Sequence, residues 1–411
     1  MRLITGRPAQ RGIRLIVAGA ASAALAITAM TWPFGKGSAA AQQEKKPTAD
    51  QVFKNVQVLK GISLDDFLGT MGVMCASLGF DCADCHVGAG TQKVDWAKDT
   101  ARKVMARKMV LMVQTINSDN FSGRQMVTCW SCHRGRDRPL TTPTLADMYG
   151  TFREEQDDLL MPTDQPSADQ IIDKYLQAVG GQQRLSTVKS FVASGASVGF
   201  GGFGRGGRAQ IFSRFPDQRA IIIDFPASPE RGHSLRIFDG HVGWIETPLS
   251  VLGRYEITGG ELEGAKLDAE LAFPAQIKQV LSDLHAAVPT TISDLPEPAS
   301  QAAEESHAAT GKEHAANVVQ GTGPGGILVT LYFDAESGVL LREVRYGKSP
   351  IGRIPTQIDY SDYRDVGGIK MPFRLVFAWL GGRDSIQLDK VQVNASIDPS
   401  KFSKPAAEQA K

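Results

Sequence analysis

Cysteine is scarce in this 411-residue chain: there are five, at positions 75, 82, 85, 129 and 132. So few, gathered in one stretch, exclude a disulfide framework. Aromatic residues make up only 7%, and the formal net charge is +1. The chain therefore lacks the cationic excess of a general nucleic-acid binder, and no nucleic-acid partner is expected. Long apolar runs are missing as well, with one exception. "LIVAGAASAALAITAMTWPFG", residues 15–35, carries no charge and follows Arg2, Arg7, Arg11 and Arg14. Ala39 and Ala41 then supply the small residues of a cleavage site, so residues 1–41 read as a secretory signal peptide. The run is also long enough to serve as an uncleaved N-terminal membrane anchor. Its lack of a following cysteine excludes a bacterial lipid anchor. Either way the folded part is expected outside the cytoplasm, in the periplasm or on the outer face of the cytoplasmic membrane.

What is present is sufficient for packed cores: 42% of the residues are apolar. The length implies two or three domains. Residues 51–140 hold every cysteine and six of the eleven methionines. Residues 141–166 mix Pro, Thr and acids and read as a linker. Ser167 is a candidate N-cap for a helix through "ADQIIDKYLQAV", stopped by Gly180 and Gly181. Beyond it, ten segments from "SFVASGASV" to "SIQLDKVQV" alternate apolar and polar residues, divided by turns such as Asp239-Gly240 and Ser337-Gly338. That pattern predicts an antiparallel meander. A helical stretch at about 262–286 interrupts it, and residues 296–325, rich in Ala, Glu, Gly and Pro, read as a disordered insertion. The "GFGGFGRGG" run, residues 199–207, is followed by a strand pattern rather than a helix. It therefore reads as a hairpin tip, not a phosphate loop.

Four of the five cysteines fall in two C-x-x-C-H units, "DCADCH" at 81–86 and "TCWSCH" at 128–133. Two thiols at this spacing can add across the two vinyl groups of a haem, and the adjoining histidine is then held beneath the iron. Cys82, Cys85, Cys129 and Cys132 are the expected covalent attachments, and His86 and His133 the proximal ligands. A four-cysteine zinc site is the rival. The 43-residue spacer exceeds that of zinc ribbons, and zinc leaves both histidines unexplained. A thioredoxin-like disulfide would need a strand-to-helix junction that the surroundings lack. The second unit is preceded by Met105, Met109, Met112 and Ile116, at i, i+4, i+7 and i+11, along one face of a helix. Such a stripe commonly packs a core. Both histidines of this region are already used, so a thioether is the remaining candidate for the distal side of at least one haem.

These residues resemble a known family, the cytochrome c subunit of photosynthetic reaction centres, and more closely its two-haem variants. The resemblance rests on "VLKGISLDDFLGTMG", "LGFDCADCHVGAG", "ARKMVLMVQTIN" and "TCWSCHRG". It implies two covalently bound haems c, each lying along a helix that donates a methionine. Carried over, it implies Met71 and Met109 as axial ligands, with Met74 and Met112 as the alternatives. It further implies electron transfer rather than catalysis, with redox proteins as partners. Arg102, Lys103, Arg107, Lys108, Arg124, Arg134, Arg136 and Arg138 would suit haem propionates or an acidic-faced partner. Cys75, outside both units, reads as a small buried apolar residue.

Residues 167–405 resemble, more faintly, the periplasmic outer-membrane lipoprotein carrier (LolA-like) fold, through "ADQIIDKYLQAVGG", "LYFDAESGVLLREVRY" and "YSDYRDVGGIKMPFRLVF". The resemblance implies an α+β domain with a curved antiparallel sheet, an incomplete β-barrel, and a lipid or lipoprotein as ligand. His233, His241, His285, His307 and His314 show no metal-binding spacing. The expected architecture is thus multidomain, an α-helical multihaem cytochrome c domain followed by this β-rich one. Three functions stand open: an electron carrier, a haem enzyme with an open distal site, and a lipid-binding module with an attached redox domain.

Overall fold

The computed structural model describes residues 46–91, 93–139, 141–142, 165–198, 206–227, 232–247, 252–295 and 312–405. The signal segment, nearly all of the 141–166 linker, most of the glycine-rich run, His307 and residues 296–311 of the expected insertion lie outside them. Residues 46–411 cluster as a single compact unit.

The first part is helical. It comprises Ala49–Val52 (α1), Leu64–Leu78 (α2), Cys82–Cys85 (α3), Ala101–Phe121 (α4) and Cys129–His133 (α5). Ser63 caps α2 by accepting from the Asp66 amide at 3.1 Å, and Asp65 and Asp66 place negative charge at the positive end of the helix. Gly79 ends α2 in the left-handed region at φ 67°. A Cβ there would stand 2.5 Å from the Gly135 carbonyl oxygen, so glycine is required on two counts. In α4 the buried face is Val110, Val113 and Asn117, spaced as one helical stripe.

The second part opens with Ala168–Ala178 (α6). Ser167 and Gln170 cap it reciprocally, as the sequence predicts. A single turn, Gln182–Leu185 (α7), follows. The strands are β1 (Ser190–Ser197), β2 (Gly207–Arg214), β3 (Gln218–Asp224), β4 (His233–Phe238), β5 (Gly243–Glu246) and β6 (Tyr255–Glu256). The helix Gly259–Glu270 (α8) and the turn Ile277–Val280 (α9) intervene. The series resumes with β7 (Ser282–Ser293), β8 (Glu313–Thr322), β9 (Leu328–Asp334), β10 (Leu340–Ser349), β11 (Gly352–Val366), β12 (Ile369–Trp379) and β13 (Gly382–Val393). All thirteen form one antiparallel sheet in the order β6-β5-β4-β3-β2-β1-β13-β12-β11-β10-β9-β8-β7.

The sheet stays open, with β6 and β7 as its edges, yet it curves strongly. Arg236 on β4 and Arg345 on β10 are separated by six strands, but both reach Glu261 and Asp268 of α8. Arg345 Nε lies 3.1 Å from Asp268 and 3.8 Å separates its Nη1 from Glu261; Arg236 pairs closely with Glu261. Burial opposes ionisation of Glu261, but the two guanidiniums hold its carboxyl down at about 2. Inside the curve, Ile172, Tyr175 and Val179 at and beyond α6 join Ile211, Leu331, Phe333 and Ile386 in the main core.

Two expectations need correction. The helical stretch at 262–286 ends early: α8 stops at Glu270, and Ser282–Ser293 is β7. The proposed disordered insertion loses its second half, because Glu313–Thr322 forms β8. Ala316, Val318 and Val319 are buried there, and pairing with β7 and β9 satisfies the backbone. Alanine and histidine hide this strand from a propensity reading, so tertiary pairing overrides the local signal. Pro289 in β7 fits because β7 is an edge strand, where a missing amide goes unpaired.

The two parts share a core. Ile351, at the tip of the β10–β11 hairpin, is fully buried and clusters with Leu59, Val73 and Val110 of the helical part. Gln125 Nε2 donates to the Ser349 carbonyl at 2.8 Å. Asp65 accepts from the Thr258 amide at 2.8 Å and from its hydroxyl at 3.0 Å. A side chain of α2 thus caps α8, whose own N-cap residue makes no such bond.

Candidate haem-binding sites

Each C-x-x-C-H unit is a single capped helical turn. In α3, Asp81 accepts from the amides of Ala83 and Asp84 at 2.7 and 3.2 Å, and Asp84 accepts from the Asp81 amide at 3.0 Å. The turn brings Cys82 and Cys85, three apart, to one side. The His86 amide donates to the Cys82 carbonyl at 2.9 Å. Thr100 joins this turn to α4: its hydroxyl donates to the Cys85 carbonyl at 3.0 Å and accepts from the Lys103 amide at 3.2 Å. Arg102 adds an ion pair with Asp84.

The His86 ring lies edge-on to Trp96, with centroids 5.0 Å apart. Burial, then the nearby Lys103 charge, push its pKa below the usual imidazole value. The neutral ring keeps a lone pair for a metal, and its Nδ1 is buried without a hydrogen-bond partner. Met71, Met74 and Cys75 of α2 line the same cavity of 1210 Å³ as Cys82, Cys85 and His86. Burial pushes the Cys75 thiol up to about 11. It stays protonated near neutrality, as a packed apolar residue would.

The second unit is built alike. Thr128 accepts from the Ser131 amide at 3.3 Å, and Ser131 Oγ accepts from the Thr128 amide at 3.0 Å. After α5 the chain reverses through Arg134 and Gly135, both at positive φ, and the Gly135 amide donates to the Ser77 carbonyl at 2.9 Å. His133 Nδ1 lies 3.0 Å from the Arg136 carbonyl. Nδ1 must then carry the proton, which leaves Nε2 as the free acceptor.

The methionine stripe lies beside the packed face of α4, not within it. Met105 and Met112 are 53% and 44% exposed, and Met109, nearer the buried face, is half-buried. Core packing therefore does not account for Met105 or Met112. Asn117 was not singled out from the sequence, yet it fixes the approach to the second unit. Its Nδ2 donates to the Val127 carbonyl at 2.7 Å, and its Oδ1 accepts from the amides of Met126 and Val127 at 3.0 and 2.9 Å. An amide at the seventh position from Val110 on an otherwise apolar stripe was the available signal.

The cationic residues divide. Arg102 and Arg107 are committed to Asp84 and Asp99, and Lys103 Nζ donates to the carbonyls of Trp96 and Lys98, each at 2.9 Å. Lys108, Arg124, Arg134, Arg136 and Arg138 are exposed. Among the described residues no three His, Cys, Asp or Glu side chains form a metal-ligating group, so the four cysteines are not gathered as a zinc site requires. His233 and His314 pair with Asp224 and Asp294 instead, and His285 contacts the Asp283 carbonyl. No described helix is long and apolar enough to cross a membrane.

A helical segment with two capped C-x-x-C-H turns and nearby methionines has the make-up of a c-type cytochrome. Residues 10–168 match the family model described as "Photosynthetic reaction centre cytochrome C subunit". Over 98 residues the chain is 38% identical to the photosynthetic reaction center cytochrome c subunit of Thermochromatium tepidum, covering 23% of each protein. It is 34% identical over 98 residues to the corresponding subunit of Rubrivivax gelatinosus, covering 23% of this chain and 25% of that one. The match thus spans about a quarter of these relatives. Among solved structures, a LolA superfamily protein from Nitrosomonas europaea aligns at 16% identity and a TM-score of 0.35, over 58% of this chain and 99% of that one. A DUF1329 family protein from Desulfovibrio piger aligns at 10% identity and 0.35, over 57% of this chain and 97% of that one.

Proposed function

We propose that the protein is an exported two-haem c-type cytochrome that carries electrons and is not an enzyme. Cys82 and Cys85 would hold one haem, with His86 and Met71 as the residues that would ligate its iron. Cys129 and Cys132 would hold the other, with His133 and Met109 in the same roles. The observation that carries this reading is the pair of capped C-x-x-C-H turns beside methionine-bearing helices. The haem irons supply one-electron oxidation and reduction, and thioether ligation favours a higher potential than a second imidazole would. The chain's own contribution is positional. The Arg136 carbonyl, at His133 Nδ1, fixes that ring's tautomer, and burial favours the neutral form of His86. With Met71 and Met109 as ligands besides the two histidines, neither iron would keep a position for an enzyme's substrate. The exposed Lys108, Arg124, Arg134, Arg136 and Arg138 suit docking of an acidic-faced redox protein, with steering that weakens as salt rises.

A second reading, a lipid or lipoprotein held by the sheet, is favoured by Ile221, Leu235, Ile358 and Phe377, which line the cavity on its sheet side. Mass spectrometry of ligands extracted from the purified protein separates the two. The primary test is expression with the haem-maturation machinery, followed by a visible spectrum and a haem-to-protein ratio. Two low-spin haems per chain are expected. A full zinc complement without a Soret band would end the proposal.

A further inference from the structure

The cavity beside the first C-x-x-C-H unit has two walls from distant parts of the chain. Cys82, Cys85, His86 and Met71 lie on one side, and residues of β11, β12 and β13 on the other. Register explains how the sheet presents its side. Thr356 stands opposite Trp379 and Ile358 opposite Phe377; Phe377 in turn faces Asp384. Alternation along a strand puts Ile354 on the same face as Thr356 and Ile358, and Phe377 on the same face as Trp379. All of these line the cavity. The helix that carries Met71 is held close: a Cβ at Gly69 would collide with Ile354, and one at Gly72 would lie 3.3 Å from Leu380. The volume, 1210 Å³, lies above the roughly 300–1,000 Å³ of an ordinary small-ligand pocket. The space is therefore ample for a macrocycle, and no wall within the helical part alone encloses it.

We propose that the concave face of the sheet is the second wall of the first haem site, with Ile354, Ile358, Phe377 and Trp379 as its apolar surface. The proposal rests on the two-haem reading and adds a role for the C-terminal part. The concavity that would suit a lipid serves here to keep water from one haem. The two sites are then unequal. The first borders the two-walled cavity, whereas Cys129, Cys132, His133 and Met109 do not line it. A low-dielectric enclosure disfavours the more highly charged ferric form, so the sheet raises the potential of the first haem relative to a solvated one.

The test uses the full-length, haem-loaded protein. Trp379 is 37% exposed, so Trp379→Ala should fold, and the second haem reports on folding within the same molecule. Opening the wall should lower the potential of the first haem. Entry of added imidazole to that iron should speed up by roughly tenfold or more, with the second haem unchanged. Lys370→Ala, at an exposed site on the same strand, should change neither. As a second measurement, hydrogen exchange of wild type is compared with the Cys82→Ala, Cys85→Ala chain. Amides of β11 and β12 should lose protection when the first haem is missing. Two haems in wild type, with an unaltered first haem in Trp379→Ala and unaltered exchange in the cysteine variant, overturn the proposal alone. No haem at Cys82 and Cys85 in wild type overturns the two-haem reading, and this inference with it.

Discussion

At the residue scale, the two C-x-x-C-H turns, which we propose as haem attachments, were the most legible feature of the candidate sites. Thiol, thiol and imidazole at fixed spacing need only a helical turn to converge, and α3 and α5 supply it. The choice of a proposed distal ligand was less legible, because three thioethers share one face of α4. Adjacent turns are about 5.4 Å apart, so only one thioether could reach an iron that His133 would hold. Met109→Leu nearly conserves volume and should cost under about 1.5 kcal/mol of packing. It should remove about half of the weak thioether-to-iron absorption and lower one potential. Met112→Leu should leave the spectrum nearly intact. The reverse pattern would move the ligand by one turn. Asn117 stood out only as an amide on an apolar stripe; its partners were illegible, since its three hydrogen bonds go to backbone that only the folded loop brings near.

Asp384 gives a prediction of a different kind. It is 2% exposed, accepts from Ser197 Oγ at 2.8 Å, and burial pushes its carboxyl up to about 6. Unfolded, it would titrate near about 4, so the folded chain binds this proton more tightly. Its contribution to stability is therefore most favourable below about pH 4, declines as the pH rises from about 4 to 6, and stays unfavourable above that. Asp384→Asn keeps an acceptor for Ser197 and removes the buried charge. Thermal unfolding should show the variant more stable at pH 8, by something on the order of 2 kcal/mol, and close to wild type at pH 4. A variant no more stable at pH 8 would contradict this.

At the scale of elements, strict alternation found ten strands, β1–β5 and β9–β13. It missed β6, which is only two residues long, and the edge pair β7 and β8. Those two are rich in Ala, His, Thr and Ser, and their backbone hydrogen bonds rather than their side chains define them. The β10–β11 hairpin shows the limit of reading elements singly. Its tip inserts Ile351 among Leu59, Val73 and Val110, a contact no local pattern announces. Ile351→Ala should cost about 2–5 kcal/mol as a buried truncation. The loss should appear in α2 and α4 by hydrogen exchange as well as in the hairpin. Exchange confined to β10 and β11 would mean that the helices do not depend on the tip.

At the scale of the whole molecule, residues 51–140 and 167–405 remain our proposed division of the chain. Ile351, the Asp65–Thr258 bonds and the two-walled cavity make it a division of sequence rather than of core. The sheet then takes the role proposed above, as one wall of the first haem site. The proposed account is of one enclosed and one exposed haem held by a helical segment braced on a curved sheet. Its central claim, two covalent haems, is tested most directly by the intact mass of the denatured, matured protein. The account predicts a mass above that of the processed chain by two haems. The excess should fall to one haem in the Cys82→Ala, Cys85→Ala variant and likewise in Cys129→Ala, Cys132→Ala. A wild-type mass equal to that of the bare chain, or an excess that neither cysteine pair alters, would contradict it.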